Sequence, residues 1–366
     1  MKEKFVLLDG LRGLAAIAVV MYHADVTANR TAVFSHGYLA VDFFFMLSGF
    51  VIAYNYQERL DNAWSSKEFF TIRLLRLYPL YLFGLITGLA GVILKNHISH
   101  ASISTTNLIG VSALGALLLP IPQFFRGGIH GAFPLDYPAW SLFAEAVANV
   151  IHAFFFRRRS TGFVGCCFLG SAVLTAICTF RYHGLSFGFY SNEILLAIPR
   201  VLMSYTAGML VYRYWAFRRS AALLPGWVVC ALLMLPLLCP RLGSWNAAYD
   251  LLNVIVVFPA ILIAGASAKE GVILLRRFFE YAGKTSYAIY ILHIPILAIC
   301  IQIAIAFRHQ QLTQTRAWTN LIFPLLALAV ATVAYREYDE PVRSAMRRLR
   351  STAQPQRIAA PAESTL

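Results

Sequence analysis

Residues 7–26 read LLDGLRGLAAIAVVMYHADV. The stretch has the roughly twenty residues a helix needs to cross a bilayer. It also holds Asp9, Arg12, His23 and Asp25. A charged group in a lipid span costs several kcal/mol unless it faces a bundle interior or water. The segment is therefore one helix of a bundle, with its polar groups turned inward. The rest of the 366-residue chain agrees, being 59% apolar and 13% charged. A soluble domain has about 45–50% apolar and about 25% charged residues. A water-soluble globule, a disordered chain and a collagen-like fibre are excluded, and an all-α polytopic membrane protein remains.

Ten apolar segments of spanning length follow, near 7–26, 38–56, 77–95, 139–156, 163–180, 195–214, 223–239, 249–266, 286–306 and 318–336. The stretch 107–121 is shorter and fits a re-entrant or interfacial helix. Charge sets the topology. With ten spans, Lys4, Arg59, Lys67, Arg73, Arg76, Arg157–Arg159, Arg213, Arg276 and Arg343 fall on one side, and far fewer cations on the other. Lys and Arg stay on the cytoplasmic side, so both termini are expected there. An eleventh span would put Arg157–Arg159 outside. Residues 1–350 read as one transmembrane domain and 351–366 as a disordered cytoplasmic tail. The net charge of +14 comes from loops between apolar runs. That is a topology signal, and no basic domain exists to bind nucleic acid. The six cysteines lie within or beside apolar runs, with neither zinc-site nor disulfide-framework spacing. No metal site is expected.

Ionisable residues inside spans form the short list for function: Asp9, Arg12, His23, Asp25, Asp42, Glu145, Arg200 and His293. Counting about 1.5 Å per residue puts His23 about 24 Å from Leu7, in the outer part of the first span. Asp42 and Glu145 count to a similar depth. A carboxylate beside an imidazole orients the ring and raises its basicity, as a general base requires. Arg12, Arg73 and Arg76 count to the inner layer, and His293 to the inner half of the ninth span. Arg73 and Arg76, at i and i+3, share a helix face. Guanidinium pairs grip phosphate.

Each residue has a second reading. Arg73 and Arg76 obey the positive-inside rule in any case. His23 and His293 suit hydrogen-bonded packing histidines, and Asp42 and Glu145 suit helix–helix contacts. Trp140 suits an interfacial anchor and Ser141 a cap. The residues alone support a polar intramembrane site and do not choose its reaction.

Six motifs in order resemble the acyltransferase-3 family of integral membrane O-acyltransferases. They are LDGLRGLAA at 8–16 with His23 eleven positions after Arg12, and VDFFFMLSGF at 41–50. Next come Phe69, Arg73, Arg76 and Pro79 as F-x-x-x-R-x-x-R-x-x-P, then Trp140-Ser141-Leu142 with Glu145. GKTSYAIYILH at 283–293 and Glu340-Pro341 with Arg343 complete the set. Two positions depart from the pattern: Ala40 where Gly is frequent, and Ala146 where many members have a second acid.

The resemblance implies transfer of an acyl group, usually acetyl, from cytoplasmic acyl-CoA to a hydroxyl. The acceptor would be a surface polysaccharide, lipopolysaccharide or lipid-linked glycan at a bacterial inner (plasma) membrane. It assigns Arg12, Arg73 and Arg76 to the donor. His23 is expected to act as base or acyl carrier, partnered by Asp42 or Glu145. Ser48, Ser141, Trp140 and His293 are candidates for oxyanion or acceptor contacts. Acyl-CoA is a substrate, and no permanently bound cofactor is implied. No segment resembles the hydrolase-like periplasmic domain of some members, so the chain completes the transfer or hands the acyl group to a partner. Two other classes suit ten spans with buried charge: a transporter of a polar or anionic solute, and an acyl-relay or scaffold component of a glycan export complex. The transporter reading lacks paired halves and matched broken helices.

Overall fold

The computed structural model describes residues 4–101, 103–122, 131–218, 224–268 and 273–353, and no strand occurs among them. In chain order the helices are α1 (Val6–Thr27), α2 (Ala40–Asn62), α3 (Ser66–Ser99), α4 (Thr105–Ala116) and α5 (Ala139–Ile151). Then follow α6 (Thr161–Arg181), α7 (Ala197–Arg218), α8 (Gly226–Leu238), α9 (Asn246–Leu252) and α10 (Phe258–Ser267). The last are α11 (Ile273–Ala306), α12 (Gln310–Thr313), α13 (Phe323–Val333) and α14 (Glu340–Ala353). Short π-helical turns extend α5 to Phe156, join α9 to α10, lead into α13 from Trp318, and join α13 to α14.

Nine helical stretches among the described residues are long and apolar enough to cross a membrane. At the expected seventh span stands α8, a shorter apolar helix with Pro236 inside it. The expected short helix at 107–121 is α4, begun by Ser104, whose Oγ accepts from the Asn107 amide. Two spans start well before their apolar runs. α3 begins at Ser66 because Ser65 and Glu68 form a capping box, each side chain meeting the other's backbone amide. Arg73 and Arg76 are therefore inside the helix. α11 begins at Ile273. The expected tail lies outside the described residues beyond Ala353.

α2 and α7 are the most enclosed spans. Their crossing is tight because Gly49 rests on the Tyr205 carbonyl and Gly208 on the Met46 carbonyl, where a methyl group would overlap backbone. α6 and the stretch Trp318–Arg348 turn most of their surface outward. Leu169, Ile177, Leu325 and Val333 are exposed there, as lipid contact requires. The two ends of the bundle differ. One holds Lys4 paired with Glu280, Arg158 bonded to Asp61, and Arg213 bonded to the Arg159 carbonyl. The other holds Arg316 paired with Asp25, and a buried network of His36, Tyr38, Asn246 and Asp250. The first is called the basic end below.

Candidate active site

α1 and α11 lie side by side from the basic end, and Gly10 and Gly13 of α1 abut Phe279 and Ala282 of α11. This closeness brings two imidazoles together. His293 Nε2 lies 3.1 Å from His23 Nδ1. His23 Nδ1 is also 3.1 Å from the Val19 carbonyl, and His293 Nδ1 is 2.6 Å from the Tyr290 carbonyl. Carbonyls only accept. His293 Nδ1 therefore donates to Tyr290, and in a neutral pair its Nε2 is an acceptor. His23 Nδ1–H then divides between Val19 and His293. His23 Nε2 is left with a bare lone pair. That atom has no hydrogen-bond partner among the described residues. Tyr22 and Tyr137 stand edge-on to the ring, with centroids 5.2 and 6.4 Å away.

His293 thus sits at the level of His23, where the depth count placed it in the inner half. That count started the span at 286, where the polar run GKTS ends. Of that run Lys284 is exposed, while Gly283, Thr285 and Ser286 are buried, and Arg12 satisfies the first and last of these. Its Nε donates to Ser286 Oγ at 2.8 Å and its Nη2 to the Gly283 carbonyl at 2.5 Å, while Asp9 pairs with it at 3.2 Å. Arg12 therefore clamps α1 to α11.

Neither expected carboxylate meets an imidazole. Glu145 forms an ion pair with Arg73 and accepts from Ser48 Oγ at 2.6 Å. Ser48 consequently spends its proton on Glu145. Asp42 is fully buried against Arg200, at 3.0 Å from Nε and 2.7 Å from Nη2, with Ser204 Oγ at 3.4 Å. Arg200 also donates to the Phe187 carbonyl at 2.9 Å and stacks over Trp140, 5.2 Å from its centroid. Asp42 and Trp140 thus belong to one buried cluster. The separate layers expected for carboxylates and cations are replaced by three linked groups: His23–His293, Arg73–Glu145–Ser48 and Asp42–Arg200–Trp140.

Arg76 differs from Arg73. It is half-buried beside Arg73, Arg12 and Glu145, yet makes no ion pair or hydrogen bond among the described residues. A guanidinium held this way is ready for an anionic ligand. Ser141 Oγ donates to the Pro138 carbonyl at 2.9 Å and lies 2.7 Å from Tyr290 Oη. Tyr290 therefore links the histidine pair, through its carbonyl, to α5, through its hydroxyl. Sequence reasoning gave no role to Ser286, Tyr290 or Arg200. The first two lie in the GKTSYAIYILH stretch at spacings facing α1 and α5, and Arg200 was visible as a lone cation in an apolar span.

The sequence profile of an acyltransferase domain matches residues 5–336. The chain belongs to the acyltransferase-3 family. Protein 2 in picA locus of Rhizobium radiobacter is 41% identical over 160 residues, 41% of this chain and 82% of that relative. A putative acetyltransferase, ORF330, of Acidianus two-tailed virus is 23% identical over 320 residues, 81% of this chain and 86% of the relative. Peptidoglycan O-acetyltransferase OatA of Listeria monocytogenes is 24% identical over 369 residues, 92% of this chain and 55% of the relative. No solved structure matches. This acyltransferase is a multi-pass membrane protein.

Proposed function

We propose that this acyltransferase moves an acyl group, acetyl in the simplest case, from acyl-CoA to a hydroxyl of a carbohydrate or lipid-linked glycan. On this reading the basic end and both termini face the cytoplasm of a bacterial cell, and the acceptor arrives at the opposite face of the inner membrane. The observation that carries it is the bare Nε2 of His23, held by His293 and Val19, with an uncommitted Arg76 nearer the basic end.

Arg76 grips the donor's phosphates, and Arg73 holds Glu145 beside it. Arg12 keeps the α1–α11 seam in register at the donor side. The pantetheine arm carries the thioester toward His23. Nε2 removes the acceptor hydroxyl's proton as the oxygen attacks the thioester carbonyl. The carbon–sulfur bond breaks, and the imidazolium returns the proton to the leaving thiolate. In the relay form of the same chemistry, Nε2 itself attacks the thioester and CoA leaves as the thiolate; the acceptor oxygen then takes the acyl group from Nε2, and its proton goes to that thiolate. Asp42 and Trp140 shape the wall from a distance, through Arg200.

The test is purified protein in detergent with radiolabelled acetyl-CoA and a panel of glycan acceptors. Label in the glycan supports the reading. Trapped acyl-His23 with donor alone selects the relay. Uptake of a solute into vesicles without consumption of acyl-CoA would replace the enzyme reading with a transporter.

A further inference from the structure

The loop 131–138 carries an acid that the reaction above does not use. Asp136 is 1% exposed, and neither carboxyl oxygen has a hydrogen-bond partner among the described residues. The loop lies in a groove of α3. Gly88 abuts the Leu135 carbonyl, and a methyl group at Gly84 would come 2.9 Å from Asp136 Oδ2. A cavity of about 10 Å³ adjoins the carboxyl, walled by Tyr81, Leu85, Val111, Ile121 and Phe133. That is the lower limit of room for one water.

Among the described residues the surroundings offer no opposite charge. From α3 Tyr81 faces Asp136, and from α11 Tyr287 and Tyr290 do. Each phenol is committed elsewhere: Tyr81 to the Gly115 carbonyl, Tyr287 to the Leu77 carbonyl and Tyr290 to Ser141. The α4 side of the cavity is Val111 and Gly115. No cation pairs with Asp136 among the described residues. An ionised carboxylate without a partner does not stay in such a place. Burial pushes the Asp136 carboxyl well above the usual carboxylate range. A protonated carboxyl has one donor and keeps acceptor capacity, which suits a single water. The next residue, Tyr137, is the one whose ring stands against His23.

We propose that Asp136 is a positioning residue held as an uncharged acid, bound to one internal water in this cavity, which seats the loop 131–138 so that Tyr137 closes over His23. Its kinetic consequence rests on the acyl-transfer reading, whereas its protonation does not.

The experiment has two arms on the full chain in detergent. An infrared difference spectrum, wild type minus Asp136→Asn at neutral pH, should contain the carbonyl stretch of a protonated carboxyl. A spectrum with a carboxylate signal in its place overturns the proposal. In acetyl-CoA assays Asp136→Asn, which keeps shape and polarity without a titrating proton, should turn over within about twofold of wild type. It should also extend activity to higher pH. Asp136→Leu, which cannot hold the water, should lower kcat about tenfold with the donor KM unchanged. Equal loss in both variants, with folding intact, overturns the positioning role. Absence of acyl transfer in the wild type would instead refute the functional reading, and the infrared arm would still decide the proton.

Discussion

His23 and His293 are 270 positions apart in sequence, yet the Nδ1 of the first lies 3.1 Å from the Nε2 of the second. The contact selects the tautomer of His23 and points its basic nitrogen away from the protein's own acceptors. The two residues should therefore fail differently. His23→Ala removes the base or carrier, and kcat should fall on the order of a hundredfold to ten-thousandfold. His293→Ala leaves Val19 to hold the ring alone. Loss of one hydrogen bond of about 1 kcal/mol should lower kcat roughly fivefold to tenfold, with little change in KM. Steady-state kinetics on both variants checks this. Equal losses would mean that His293 takes part in the chemistry directly.

The two arginines of the F-x-x-x-R-x-x-R-x-x-P motif should separate in the same manner. Arg73 is 7% exposed and paired with Glu145. Glu145→Ala strands that guanidinium and should cost about 3 kcal/mol of stability. Arg76→Ala removes a cation with no protein partner and should change stability by about 0.5 kcal/mol or less. Its effect should fall on the donor instead, raising the KM for acyl-CoA by about tenfold or more through one lost charge-assisted phosphate contact. Thermal unfolding beside donor titration distinguishes the pair. An Arg76→Ala protein as unstable as Glu145→Ala would make Arg76 a structural residue.

Spans with no polar interruption were legible to within a few residues. The expected 163–180 became Thr161–Arg181. Hydropathy failed where a helix carries polar residues that have internal partners. It started the third and ninth spans at 77 and 286, though the helices begin at Ser66 and Ile273. A capping box and the Arg12 clamp, neither an apolar signal, account for the difference. The site shows the same boundary. The motifs named residues that gather in the bundle interior, but pairings depend on relative helix depth. A shift of several residues in α11 moved His293 from the donor side to the His23 layer. It also left the carboxylates as the apparent partners of His23. Asp136 gave no signal at all, being one acid in a loop whose burial only the tertiary structure creates.

Asp42 and Arg200 are 0% and 1% exposed, so each neutralises a charge that has no other outlet. Asp42→Asn should cost about 3–5 kcal/mol because Arg200 stays charged inside. The double variant Asp42→Leu, Arg200→Leu should recover much of that loss, since the cost lies in the stranded charge. Unfolding midpoints for the two singles and the double measure the coupling. The pH dependence of residual turnover in Asp42→Asn should keep its wild-type shape, because Asp42 does not touch His23. A displaced pH profile would restore the carboxylate–imidazole pairing that the geometry replaces.

Asp136 makes stability depend on pH with a definite sign. Its folded value is raised by burial, while in the unfolded chain it titrates near the ordinary aspartate value of about 3.9. Below that pH both states hold the proton, and the residue adds no slope. Above it the unfolded chain releases the proton and the folded chain keeps it. The unfolded state then gains as pH rises, by up to about 1.4 kcal/mol per pH unit, until the folded carboxyl also ionises. Asp136→Asn has no proton to release. Its advantage over wild type in unfolding temperature should therefore widen steadily from mildly acidic to neutral pH. Two curves that run parallel across that range would mean the folded carboxyl is already ionised, and that a cation or solvent reaches it.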